Sequence, residues 1–217
     1  MSKPAVILAV DTTSEFGSVA LRRDGATAAE VQMHSTDGFG HLLIQAIEEV
    51  LAKANAPLEE IDCFAGASGP GSFTGVRVSL ASIKGLAEGL GRPAAAISNL
   101  RALSLFGSAP LRAVALDARR GQVYGAVYDA SARMVVEETL ALWEDWVKTL
   151  PAEAEFVGLA EGPCAQAGVL FTKATGGLAA AVAACADLDG PGNWSDPVGI
   201  DANYVRRSDA EMYWKDR

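Results

Sequence analysis

The chain opens with three short segments whose apolar residues have the spacing of β-strands. Ala5–Val10 is a continuous apolar run that ends at Asp11, a residue type that favours turns. Two further strands are predicted over Gly17–Leu21 and Thr27–Met33, and the intervening pair Asp24-Gly25 is typical of a two-residue hairpin turn. The pattern therefore predicts three antiparallel strands at the start of the fold.

The period of the apolar positions changes after the third strand. From Phe39 to Ala54 they recur every three or four residues until Pro57 ends the run, which predicts an amphipathic helix of about four turns. A strand is then predicted over Ile61–Ala67, and the glycine-rich loop Gly69–Ser72 leads into a second helix that ends at about Gly91. Another strand is predicted over Ala94–Ile97 and a short helix over Leu100–Phe106.

The second half of the chain begins with a pattern that resembles the first. Ile7–Leu21 and Ala113–Tyr128 both read apolar strand, Asp, short polar turn, Gly and apolar strand, with Asp11 and Asp117 in matching places. An internal repeat explains this match, and chance similarity between two hairpins explains it equally well. Beyond the repeat, the pattern predicts a strand over Glu155–Ala160, an Ala-rich helix over Gly177–Leu188 and a loop over Pro191–Pro197.

Composition and charge limit the classes of function. Half of the 217 residues are apolar, which is enough for a sizeable core. The 18 basic and 27 acidic residues give a net charge of −9, which disfavours direct nucleic-acid binding by this chain alone. The apolar runs are too short for a signal-peptide core or for the roughly 20 residues of a membrane span. We therefore expect a cytoplasmic protein that does not enter a membrane.

The cysteines and histidines give no pattern of a metal or disulfide site. Cys63, Cys164 and Cys185 are widely spaced without a Cys-x-x-Cys pair, and we expect buried small side chains. His34 and His41 are seven residues apart, so neither has a second histidine one helical turn away. We predict no metal site and no catalytic residue in this chain.

The glycine-rich loop is one candidate binding site. Gly69, Gly71 and Ser72 lie between a strand and a helix, where backbone amides can cradle an anion such as a nucleotide phosphate. The loop does not have the spacing of a Walker A or a Gly-x-Gly-x-x-Gly motif. A structural role, in which the glycines make a tight turn and Ser72 caps the helix, is the competing explanation.

The turn after the first strand is the second candidate. An acidic residue at a strand end followed by hydroxyls, here Asp11, Thr12 and Thr13, is similar to the arrangement that the actin, Hsp70 and sugar-kinase superfamily uses for metal-bound phosphates. The glycine that is usual in such a turn is missing. Asp11 is alternatively a turn-forming carboxylate that accepts hydrogen bonds from backbone amides.

A strip of small residues on the second helix is a candidate partner surface. Gly75, Ser79, Ser82, Gly85 and Gly89 recur every three or four residues, so that another backbone can approach closely. Packing against the protein's own sheet is the competing explanation. The outward face predicted for the first helix adds four candidate contacts, His41, Ile44, Gln45 and Glu48. Among them, Ile44 is an apolar residue predicted at an exposed position.

The segment Gly69–Leu90, which reads GPGSFTGVRVSLASIKGLAEGL, resembles the signature of the TsaB (YeaZ) family. The resemblance covers nearly the whole chain, because four more segments match the family: ILAVDTT from Ile7, HLLIQAIEEVL from His41, LDARRGQVYGAVY from Leu116 and, less closely, DANYVRR from Asp201. In this last segment the family usually reads Pro-x-Tyr-Leu-Arg, where the chain has Ala202-Asn203-Tyr204-Val205-Arg206.

The resemblance implies an α/β fold of two RNase H-like lobes, as in the actin and Hsp70 ATPases (the ASKHA superfamily). We expect the lobes over residues 1–108 and 109–206, followed by a flexible tail over 207–217. The family is related to TsaD, a metal-dependent enzyme once labelled an M22 glycoprotease. TsaD-like catalysts carry a His-x-x-x-His metal pair after the strand that follows the glycine-rich helix. Here that place is Ser98–Leu103, which contains no histidine.

The resemblance therefore implies a non-catalytic subunit that pairs with TsaD through the first two helices, with TsaE joining the complex. TsaD would make threonylcarbamoyladenosine in ANN-decoding tRNAs, and tRNA would reach this subunit only through the complex. The subunit would require no cofactor, although ATP or ADP could bind within the complex, and in isolation it could form a homodimer through the same surface. The alternatives are a nucleotide-binding ATPase or kinase of the actin-like superfamily and an M22-type metallopeptidase.

Overall fold

The computed structural model of the protein describes residues 4–160, 162–174 and 177–205. Within these residues the strands form two five-stranded sheets. The first sheet contains β1 (Ile7–Asp11), β2 (Phe16–Arg23), β3 (Ala26–His34), β4 (Cys63–Ala67) and β5 (Ala94–Ile97), and the second contains β6 (Leu111–Asp117), β7 (Gln122–Asp129), β8 (Met134–Leu142), β9 (Glu155–Leu159) and β10 (Thr172–Ala174). The α-helices are α1 (Leu43–Lys53), α2 (Phe73–Leu90), α3 (Asn99–Ser104), α4 (Trp143–Val147), α5 (Pro163–Gln166) and α6 (Ala179–Asp189).

The two sheets have the same topology. The strand order is β3-β2-β1-β4-β5 in the first sheet and β8-β7-β6-β9-β10 in the second. In each sheet the first three strands are antiparallel, and the last two continue parallel to the first. This is the RNase H-like arrangement, so the predicted α/β fold with two related lobes is confirmed.

The internal repeat that the two hairpins indicated is also confirmed. Asp11 ends β1, and Asp117 ends β6. Each carboxylate accepts a hydrogen bond from the backbone amide two residues ahead, that of Thr13 at 2.9 Å and that of Arg119 at 2.7 Å. The turns differ in exposure, because Asp11 is buried and Asp117 is exposed.

The first hairpin turn follows the prediction from its residue types. Asp24 and Gly25 have φ angles of 53° and 74°, in the left-handed region that asparagine, aspartate and glycine tolerate best. The following strand, β3, pairs with β2 from Arg23↔Ala26 to Phe16↔His34. The predicted three-stranded antiparallel opening is therefore present.

The start predicted for the first helix is wrong by one turn. α1 begins at Leu43, and Phe39 belongs to the turn before it, where its carbonyl accepts hydrogen bonds from the amides of Leu42 and Leu43 at 3.0 and 2.9 Å. Gly38 and Gly40 flank Phe39 and disfavour helix there. His41 therefore lies in the turn that precedes α1, although the sequence predicted it on the helix.

The second helix has the predicted ends. The Ser72 hydroxyl accepts a hydrogen bond from the Gly75 amide at 3.3 Å, which caps the first turn of α2. At the other end, Gly91 has a φ of 61° and ends the helix in the left-handed conformation. The role of Ser72 as a helix cap is thus confirmed.

Several other boundaries differ from the prediction. β4 begins at Cys63 instead of Ile61, because Leu58–Glu60 forms a 3-10 turn that delays the strand. α3 spans Asn99–Ser104 instead of Leu100–Phe106, because the Ser98 hydroxyl caps it one residue earlier. The sequence does not predict β8, β10, α4 or α5. The tail expected over 207–217 lies outside the described residues.

One helix from each lobe packs against the sheet of the other lobe, in a core that the two lobes share. α1 and α2 cover the outer face of the first sheet, and α4 and α5 cover the outer face of the second around Trp146. α6 follows the second sheet in sequence but packs against β1 and β2 of the first, whereas α3 packs against β6 and β7 of the second. In the described residues we find no helix with both the length and the apolar character to cross a membrane.

Candidate functional site

The outer face of α1 presents the first set of predicted partner contacts. Ile44, Gln45 and Glu48 are exposed on the helix, and His41 is exposed in the turn before it. The Ile44 side chain is 59 % exposed although it is apolar. An exposed aliphatic residue among polar neighbours is compatible with a contact to another chain.

The C-terminal half of α2 presents the second set. Gly85 and Gly89 are exposed, and a Cβ added at either position would have no atom within 4 Å. Ser82 is half-buried, and its hydroxyl donates to the Val78 carbonyl at 2.7 Å within the helix. These three positions leave space for the close approach of another helix. We define the docking surface as the half-buried Ser82 together with five exposed residues, Ile44, Gln45, Glu48, Gly85 and Gly89.

The N-terminal half of the predicted strip faces the interior instead. A Cβ at Gly75 would lie 2.0 Å from the Thr12 carbonyl oxygen, so α2 touches the β1–β2 turn there. The Ser79 hydroxyl donates to the Val10 carbonyl at 3.0 Å, and this side chain is fully buried. The expectation that all five small residues share one exposed face fails for Gly75 and Ser79, because they pack against the β1–β2 turn and β1 of the same chain.

An aromatic cluster that the sequence did not indicate adjoins α2 at its N-terminus. The Arg77 guanidinium lies 3.9 Å from the centre of the Phe73 ring, and the Tyr204 ring centre lies 6.1 Å from that of Phe73. Phe73 and Tyr204 are 55 % and 50 % exposed. Exposed aromatic and arginine side chains are common in protein interfaces. Tyr204 is separated from Phe73 by 131 residues of sequence, so no local pattern brings them together.

The candidate phosphate turn after β1 is closed by internal hydrogen bonds. Asp11 accepts hydrogen bonds at one carboxylate oxygen from the Thr13 amide and hydroxyl, at 2.9 and 2.6 Å, and at the other from the Leu178 amide at 2.9 Å. The Thr12 hydroxyl donates to the Gly75 carbonyl at 2.7 Å. Burial raises the pKa of Asp11 above its ordinary value, and the three hydrogen bonds partly offset this effect. The carboxylate therefore has partners within the protein.

The glycine-rich loop is also held by its own chain. The Gly69 amide donates to the side-chain oxygen of Asn99 at 3.0 Å, and the Ser72 amide donates to the Thr13 carbonyl at 2.8 Å. A Cβ at Gly71 would lie 2.8 Å from the same Thr13 oxygen, so this glycine permits the close approach of the two turns. The structure thus brings together the two candidate nucleotide-binding segments, with Asn99 between them.

The place that corresponds to the metal pair of TsaD-like catalysts lies at the start of α3. Ser98 donates to a carboxylate oxygen of Glu138, and Arg101 donates to both carboxylate oxygens of Asp189 at 2.7 Å. Over the described ranges, no three His, Cys, Asp or Glu side chains are placed so that they could hold a metal ion. The side chains at this place bind other parts of the same chain.

Glu138 of β8 binds three other segments of the chain, and no sequence pattern indicated this role. Its carboxylate accepts from Ser98, from the Tyr128 hydroxyl at 2.6 Å and from the Asn203 side-chain amide at 2.6 Å. Burial and the neighbouring Glu138 charge raise the pKa of Tyr128. The Asn203 backbone amide also donates to the carbonyl of Ser68, the residue before the glycine-rich loop, at 2.8 Å. These partners are distant in sequence and leave no local pattern.

Comparison with known proteins identifies the family. The family model described as "TsaD: tRNA N6-adenosine threonylcarbamoyltransferase" matches residues 36–174, which is more than half of the chain. The chain belongs to the TsaD family. Within this family it is a TsaB (YeaZ) member, because three curated relatives at 31–37 % identity are named TsaB and a similar solved structure is named YeaZ.

Two curated TsaB relatives give the extent of this similarity. The chain is 35 % identical over 126 residues to the "tRNA threonylcarbamoyladenosine biosynthesis protein TsaB" of Escherichia coli, covering 56 % of this chain and 54 % of that protein. It is 31 % identical over 149 residues to the TsaB protein of Bacillus subtilis, covering 66 % and 65 %. The matches thus span between about half and two thirds of the length of these TsaB relatives.

A solved structure extends the similarity over both lobes of this TsaB (YeaZ) member. The structure described as "YeaZ from Pseudomonas aeruginosa" is 25 % identical, with a TM-score of 0.79. The alignment covers 92 % of this chain and 99 % of that one. Both lobes of the fold are therefore shared with YeaZ.

Proposed function

We propose that this protein is a non-catalytic partner subunit in the formation of threonylcarbamoyladenosine in tRNA. In this proposal it pairs with a TsaD homologue, which carries out the transfer. The docking surface on α1 and α2 supports the proposal most directly. Gly85 and Gly89 leave that surface open to another helix, although each glycine weakens α2 by about 1 kcal/mol relative to alanine.

The side chains at the start of α3 support a non-catalytic role. TsaD-like catalysts have a histidine pair there, whereas this chain has Ser98 and Arg101 bound to Glu138 and Asp189. The names of the TsaB relatives point to the same biosynthesis. The subunit would contribute to the complex by binding and positioning its partner.

The charge of the protein supports a division of labour within the complex. A net charge of −9 repels tRNA, so the proposed TsaD partner would supply the tRNA contacts. A TsaE homologue would join the complex, and ATP or ADP would act there without any cofactor held by this subunit alone. In the absence of TsaD, the same surface would form a homodimer. We place this activity in the cytoplasm, where tRNA is modified.

Reconstitution tests the proposed role. Purified TsaD and TsaE homologues, an enzyme that supplies the threonylcarbamoyl adenylate, and unmodified tRNA are combined with and without this protein, and the modified nucleoside is quantified by mass spectrometry. We expect omission to reduce modification to background. Full modification without the protein, or modification by the protein alone, would contradict the proposal.

A further inference from the structure

The N-terminus of α6 is bound by side chains of the first lobe. The amides of Gly177, Leu178 and Ala179 donate to Gln32, Asp11 and Ser18, at distances of 2.7, 2.9 and 2.9 Å. We call the three acceptor side chains, Asp11, Ser18 and Gln32, the inter-lobe cap.

The inter-lobe cap replaces the local cap that α6 lacks. Leu178 occupies the N-cap position, and its apolar side chain makes no capping hydrogen bond. The first amides of a helix have no partner within the helix and carry partial positive charge, so they bind anionic and oxygen acceptors. Here these acceptors, one of them a carboxylate, come from β1, β2 and β3 of the other lobe.

The backbones of the two lobes touch at this point. A Cβ added at Gly177 would lie 2.4 Å from the Ser18 hydroxyl oxygen, so only glycine allows this approach. The rest of α6 is lined by small buried residues such as Ala183 and Ala186, which fit between the two sheets. At the far end, Asp187 and Asp189 pair with Arg22 and Arg101 at 2.7 Å. α6 is therefore held at both ends.

We propose that Asp11 and its neighbours fasten the second lobe to the first by capping α6, and that this contact takes the place of a bound phosphate between the lobes. The position of Asp11 at the end of β1 suggested a phosphate or metal ligand. Asp11 is 1 % exposed, and both of its carboxylate oxygens accept hydrogen bonds from the protein. The N-terminus of α6 supplies the positive partner that the metal ion of a metal-bound phosphate would otherwise provide. This inference does not depend on the proposed pairing with TsaD.

Two variants test the inference by different routes. Asp11→Asn removes the carboxylate, and Gly177→Ala inserts a methyl group between α6 and Ser18 without altering Asp11. The controls are Asp117→Asn, at the matching strand end of the second lobe, and Gly192→Ala, at an exposed glycine with no atom within 4 Å of an added Cβ. Hydrogen exchange of the peptide that covers α6 is measured by mass spectrometry for the whole protein.

We expect both test variants to increase the exchange rate of α6 by about tenfold or more, because a lost cap favours local opening of the helix. The two controls should exchange at the wild-type rate. Unchanged protection of α6 in the test variants would overturn the inference. If Asp11→Asn fails to fold, Gly177→Ala carries the same test.

Calorimetry with Mg-ATP provides a second test. The inference predicts no binding of Mg-ATP by the wild-type protein or by either test variant. In the wild type, the Asp11 carboxylate already accepts a hydrogen bond from the N-terminus of α6. Binding by the wild type that Asp11→Asn abolishes and Asp117→Asn retains would overturn it, because Asp11 would then be a nucleotide contact.

Discussion

At the scale of single residues, Cys63, Cys164 and Cys185 are free thiols buried in the core. Burial raises the pKa of Cys63 and Cys185 to about 12 and that of Cys164 to about 11. An unfolded cysteine titrates near pH ~8.5. Between these values the unfolded chain loses protons that the folded protein keeps, so the free energy of unfolding falls as pH rises.

This difference predicts a measurable alkaline destabilisation at Cys63. Raising the pH from 8 to 10 should lower the free energy of unfolding by about 1–2 kcal/mol for this thiol. In urea titrations, the Cys63→Ala variant should therefore lose less stability than the wild type over that interval. Equal losses in the two proteins would show that the Cys63 thiol does not contribute.

Residue roles were predictable from the sequence where the partner is near in the chain. Ser72 caps α2 through an amide three residues away, and the Asp24-Gly25 turn depends on its own backbone angles. The partner of Asp11 on α6 was not predictable, because Leu178 lies 167 residues further along the chain. The turn-forming explanation for Asp11 covered Thr13 but not the contact with α6.

At the scale of elements, α2 has glycines in two different environments. Gly75→Ala should destabilise the protein by about 2 kcal/mol or more, because its Cβ would overlap the Thr12 carbonyl. Gly85→Ala should stabilise it by about 0.5–1 kcal/mol, because alanine favours helix and the site is open. Urea unfolding monitored by circular dichroism measures both. The assignment of an inner and an outer face would be wrong if the two variants changed stability in the same direction.

The sequence predicted an element well where the spacing of its apolar residues and the capping residues at its ends indicate the same bounds. α2 has a serine cap, a long apolar period and a terminal glycine, and the predicted bounds of β5, Ala94–Ile97, match the structure. α4 and α5 have only five and four residues, too few for a helical period to be recognised. β8 is an edge strand whose residues are mostly half-buried or exposed, so it lacks a clear alternation.

At the scale of the whole molecule, two sheets of the same topology share a core, because α6 packs against the first sheet and α3 against the second. The repeat of strand, aspartate and hairpin predicted the two lobes. It did not predict that α6 would lie under the first sheet, because an Ala-rich helix has no polar face to show which surfaces cover it. This arrangement leaves α1 and α2 on the outside of the first lobe, where the docking surface lies.

The central claim is that this surface binds a TsaD homologue, and calorimetric titration of the two purified proteins tests it most directly. Gly85→Leu and Ser82→Trp place bulky side chains on the surface, whereas Gly192→Leu places one at an exposed glycine elsewhere. We predict that the first two variants bind at least about thirtyfold more weakly than the wild type, and that Gly192→Leu binds like the wild type. Wild-type affinity in both surface variants, or no binding by the wild type, would contradict the account.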